Sequence, residues 1–107
     1  NLRHECEYTL RSNILKLRSA LLRGKVDLTL LLSDSFPIFF SSFSCIFTLK
    51  NQPRPAGQDA TLEALSTLTN VSLDAFREVI KKPKITPTDF QLYMDSLSEL
   101  TFYINEI

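Results

Sequence analysis

The chain has 107 residues, 44% of them apolar and 22% charged, and its 12 Lys+Arg balance 12 Asp+Glu. These are globular proportions that exclude disorder for the chain as a whole, and zero net charge excludes a global positive field for non-specific nucleic-acid binding. Only two glycines occur, Gly24 and Gly57, which excludes the phosphate-cradling loops that need several close together.

The residue pattern predicts five helical segments, and sparse turn dipeptides argue against a sandwich or barrel. The first segment runs from about Leu2 to Arg23. Leu10, Ile14, Leu17 and Leu21 recur at helical steps, and Cys6 and Leu2 extend that stripe backward. Arg3, Glu7 and Arg11 form an i,i+4 charge ladder on another face, and Gly24 stands where a C-terminal cap belongs. The second segment runs from about Asp27, a capping residue, to Lys50, and Asp34 is the only charge between Leu28 and Leu49. Pro37 removes one backbone hydrogen bond there and predicts a kink near Ser33, where Ser33 and Ser35 can partly satisfy the freed carbonyls.

Asn51 to Gln58 reads as a loop, broken by two prolines and a glycine. The third segment is expected to start with Asp59 as N-cap, to bury Leu62, Leu65 and Leu68, and to end at Asn70. The fourth is expected to start at Ser72, to turn Leu73, Phe76, Val79 and Ile80 inward, and to stop before Pro83. The fifth starts at Thr86, where Thr86-Pro87-Thr88-Asp89 supplies a capping hydroxyl, a proline at the first helical position and an early acid. Its core stripe is Phe90, Tyr93, Leu97, Leu100, Ile104 and Ile107, widened by Met94 and Tyr103. The expected fold is all-α, an antiparallel four- to five-helix bundle forming a single domain over residues 1–107. The sequence opens at Asn1, inside a helical pattern, so a domain excised from a longer chain is expected. Charges throughout the first apolar-rich stretch argue against a signal peptide.

Few residues offer chemistry. His4 and Glu7 share a helical face, which is half of a metal site, but His4 and Cys6 lie about 200° apart around the helix and cannot share an ion. His4 is the sole histidine and no GxSxG elbow occurs, so nucleophilic catalysis lacks its parts. No Asp-x-Asp pair is present for a two-metal phosphoryl-transfer site. No metal and no cofactor are expected. Cys6 and Cys45 read as free thiols of a reducing compartment, which points to the cytoplasm. Lys81, Lys82 and Lys84 suit a helix C-terminus. The second segment is apolar all round and long enough to span a bilayer. Against a membrane span stand Asp34, Pro37, five serines between Ser33 and Ser44, and symmetric flanking positive charge.

Leu2 to Glu7, Leu10-Arg11 and Leu15 to Arg18, followed by Ser35-Phe36-Pro37 in an apolar helix, resemble the helical domain that follows the catalytic domain in bacterial nucleotidyltransferase-like proteins. The C-terminal bundle of kanamycin nucleotidyltransferase belongs to that type. The resemblance covers most of the chain in layout and is specific over roughly the first forty residues. It implies an accessory role, packing on an upstream catalytic domain and helping to form its substrate site. The Gly-Ser motif and paired aspartates of the catalytic half are absent from this chain, so no nucleotide transfer by the chain itself is expected. A related helical group contains toxin ribonucleases with an Arg-x4-6-His motif; here Arg3 directly precedes His4, which argues against that activity. The candidate substrate or interface residues are Arg3, His4, Glu7 and Arg11, which share a polar surface on the first segment near the junction with the upstream domain. The alternative is a stand-alone interaction module that self-associates, as a homo-oligomer, through its apolar second helix. Neither nucleic acid nor membrane is expected as a partner.

Overall fold

The computed structural model describes residues 2–24 and 26–106. Five helices, α1 (Leu2–Leu22), α2 (Leu28–Leu49), α3 (Gln58–Thr69), α4 (Asp74–Val79) and α5 (Pro87–Glu106), hold 78% of the described residues, with no strand among them. The bundle is all-α, as its periodicity requires. Its radius of gyration is 13.5 Å, close to the roughly 13 Å expected of one domain this long.

Cys6, Leu10, Ile14 and Leu17 of α1 are buried, and Leu21 is half-buried. Leu2 is exposed at the open end of the helix, so the stripe begins one turn later than its spacing suggests. Gly24, at φ 72°, closes α1 with its N–H on the Leu21 carbonyl at 3.3 Å, a left-handed position that favours glycine. Asp27 caps α2 by accepting the Leu30 N–H at 3.2 Å. The helix continues through Pro37. Ser35 Oγ donates to the Leu32 carbonyl at 3.1 Å, one residue before the carbonyl that Pro37 deprives of its donor.

Two boundaries differ from expectation. Gly57 (φ 91°) is the N-cap of α3, and Asp59 sits inside its first turn. The reason is Thr61, whose hydroxyl reaches the Pro55 and Gly57 carbonyls at 3.0 and 2.6 Å and fastens the loop two residues earlier. Helix α4 starts at Asp74 rather than Ser72. The Val71 carbonyl accepts the Ser66 hydroxyl at 2.7 Å and its N–H reaches Thr69 Oγ1 at 3.3 Å, which holds that residue against α3. Asn70 ends α3 in the left-handed region, as expected.

The helices meet on an aromatic centre. Tyr93 of α5 stacks on Phe76 of α4 at 5.0 Å and meets Phe39 of α2 edge-on at 6.2 Å. Phe76 also meets Phe36 and Phe43, so one buried ring ties the six-residue α4 to both long neighbours. Leu97, Leu100 and Ile104 complete the α5 face; Ile107 lies outside the described residues. Thr29 Oγ1 accepts the Ile85 N–H at 2.9 Å and anchors the α4–α5 connection to the start of α2.

Candidate functional site

Helix α1 packs between α2 and α5, and a groove runs along each flank. The groove against α2 has a volume of about 190 Å³ and is floored by Leu17, Leu31 and Phe39. Ile38 forms its outer wall, with Lys16 on one side and Asp34 on the other. The groove against α5 has a volume of about 280 Å³ and lies between Arg11, Leu15 and Arg18 of α1 and Ser98, Thr101 and Phe102 of α5.

The four residues selected from the sequence do not converge. Glu7 and Arg11 form an ion pair at 3.0 Å, the i,i+4 bond their spacing dictates. Arg3 Nη1 donates to the Asn105 carbonyl at 3.4 Å, placing positive charge on the last turn of α5, where the helix dipole favours it. His4 is exposed. Of the four, only Arg11 lines the α1–α5 groove. Arg18 and Phe102, the other prominent residues there, were not selected. Their signals were Arg18 recurring seven residues after Arg11, and Phe102 standing off the core stripe of α5.

Several polar groups are structural. Lys82 pairs with Asp89 at 2.7 Å, and Asp89 exchanges reciprocal 3.1 Å bonds with the Thr86 N–H and hydroxyl, a capping box on α5. The Lys82 ammonium, then the Thr86 N–H, hold the Asp89 carboxyl below its ordinary range. Lys81 reaches Asp59 at 3.5 Å, so two members of the basic cluster are paired. Arg54 lies 4.4 Å over the Phe40 ring and donates to Ser44, securing the α2–α3 loop. Tyr93 Oη lies 2.9 Å from Ser35 Oγ. Because Ser35 donates to Leu32, the phenol is the donor in that pair. Burial pushes the Tyr93 phenol above its ordinary range.

The two cysteines are free, Cys6 buried and Cys45 half-buried. Burial, reinforced by the Cys45 thiol, pushes the Cys6 thiol up to about 12, where it is a poor nucleophile at neutral pH. Among the described residues no group of three His, Cys, Asp or Glu is placed to hold a metal ion. Comparison with known proteins finds no matching family model, no matching curated protein and no matching solved structure.

Proposed function

We propose that this chain is a non-catalytic helical accessory domain whose apolar α2 face docks on a partner domain. The observation that carries the reading is the incomplete burial of α2. It is the one described helix long and apolar enough to cross a membrane by length and composition, yet only 33% of its most apolar window is buried. Leu32, Phe39, Phe43, Ile46 and Phe47 face the core, while Leu30 and Ile38 are exposed and Ile38 lines the α1–α2 groove. Leu30 and Ile38 flank the exposed Asp34 at i,i+4 spacing, a mixed surface that suits contact with another folded protein. Asp34 and Pro37, both exposed within the same helix, favour a protein partner over lipid.

The partner this reading names is an upstream catalytic domain of nucleotidyltransferase type, on the strength of the resemblance in residues 2–18 and 35–37. Arg3, His4, Glu7 and Arg11 are then the polar residues assigned to the substrate side. The test is co-purification of this chain with the domain encoded upstream of Asn1, using the wild-type chain and the Leu30→Glu/Ile38→Glu variant. The expected result is a complex with the wild type that the variant fails to form. An upstream sequence without a catalytic domain, or a complex indifferent to both substitutions, overturns the proposal. If α2 instead mediates self-association, the same variant converts an oligomer of this chain alone to monomer.

A further inference from the structure

Helices α1 and α2 form a hairpin. The connection between Leu22 and Leu28 is short, so the two helices pack as antiparallel neighbours. The groove between them fixes their register. Its end farthest from the connection is marked by Asn13 on α1 and by Ile38, beside Phe39, on α2. Seven residues are two helical turns, about 10.5 Å of rise, and return the chain to within about 20° of the same face. One such step back along α1 leads from Asn13 to Cys6, and one step forward along α2 leads from Ile38 to Cys45. In an antiparallel pair both steps go the same way along the seam. Cys6 and Cys45 therefore stand at one level on facing sides of the two helices.

The surroundings of the thiols agree with that register. Cys6 belongs to the core, and Cys45 packs against the same core from α2. The Cys45 thiol is also the neighbouring group that acts on Cys6. Helix axes 8–10 Å apart, with each Cα about 2.3 Å from its axis, leave directly facing Cα atoms roughly 3.5–5.5 Å apart, and further when they sit off the line of centres. A disulfide joins Cα atoms about 4.4–6.8 Å apart, so level positions on such a seam suit one.

We propose that Cys6 and Cys45 are an oxidative modification site, a dithiol that closes to a disulfide across the α1–α2 seam by exchange with a small disulfide such as oxidised glutathione. Accessibility sets the order of events. Cys6 is only 2% exposed, whereas Cys45 is half-buried and can be reached from solvent. The Cys45 thiolate attacks one sulfur of the oxidant, forms a mixed disulfide and releases one glutathione thiolate. The Cys6 sulfur then attacks the Cys45 sulfur. The Cys6–Cys45 bond forms, the bond to glutathione breaks, and the proton of Cys6 goes to the departing thiolate. The two protein thiols are oxidised, and one oxidised glutathione is reduced to two molecules of glutathione. Fixed against its target by the seam, Cys6 outcompetes a second glutathione from solution. In a reducing compartment the pair returns to the dithiol by the reverse exchange. Neither cysteine lines the groove beside Ile38, so the site is independent of the α2 docking reading.

The test is incubation of the folded chain with oxidised glutathione, an alkylating quench, and intact and peptide mass spectrometry, with circular dichroism before and after. The wild type is expected to lose two hydrogens, to carry no glutathione and to yield a Cys6–Cys45 cross-linked peptide. Cys6→Ala is expected to stop at one glutathionyl group on Cys45, and Cys45→Ala to stay unmodified while folded. The oxidised wild type is expected to keep its helical dichroism and to melt about 10 °C higher than the reduced chain. A wild-type chain that stays reduced, or that stops with glutathione on Cys45, overturns the proposal. So does a Cys45→Ala chain modified as fast as Cys6→Ala, and so does a cross-linked chain that loses helix or melts lower than the reduced one.

Discussion

Asp89 shows how a nearly buried carboxylate becomes useful to a fold. It accepts from Lys82 and from the Thr86 N–H, while its own N–H is capped by the Thr86 hydroxyl. Its folded pKa lies below the ordinary 3.8, so in the window between the two values the unfolded chain binds the proton more readily. The stability it contributes is fully present above the ordinary carboxylate range and is lost as pH falls through the folded value. The expected outcome is a melting temperature that declines on acidification below about pH 4, with a shallower decline for Asp89→Asn, measured by circular dichroism melts across a pH series. An Asp89→Asn variant with the wild-type acid slope contradicts that assignment. The sequence around Thr86 announced this box, because capping is local chemistry written in consecutive residues. Lys82 was legible only as a helix-end cation; its bond to Asp89 depends on how the α4–α5 connection turns.

At the scale of the helices, α2 carries the main local conflict. Its interior Pro37 leaves one carbonyl without a donor, and the Ser35 hydroxyl serves Leu32 instead. Replacing an interior proline with alanine restores that hydrogen bond, offset by a more flexible unfolded chain. Pro37→Ala is therefore expected to stabilise the fold by about 2 kcal/mol, read from urea unfolding. A loss of stability would mean that ring packing or a required bend outweighs the missing bond. Helix existence and type were readable throughout, since each core stripe keeps a 3.6-residue period. The boundaries at Asp27, Gly24 and Asn70 were readable as well, because each rests on one residue's cap or φ preference. The starts of α3 and α4 were not, because hydroxyls bonding back to loop carbonyls, those of Thr61 and Ser66, decide them. The grooves were less legible still. Arg18 and Phe102 look like ordinary surface residues until two helices are placed side by side.

For the whole molecule, α2, α4 and α5 converge on one ring pair, Tyr93 on Phe76, with α2 phenylalanines around it. The chain has no tryptophan and three tyrosines. Of these Tyr8 is exposed, Tyr103 is half-buried and Tyr93 is fully buried. Tyr93 keeps its proton beyond the ordinary tyrosine value of 10.0. Ionising it therefore favours the unfolded chain, and stability present below that value is lost as pH rises toward the raised one. In a spectrophotometric alkaline titration, the ionisation of Tyr93 is expected as a steep rise in tyrosinate absorbance coincident with loss of helical dichroism. A single smooth titration with the helices intact would place Tyr93 in solvent. The central stack thus makes this protein its own optical gauge: with no indole to mask it, the buried phenol reports on the integrity of the centre.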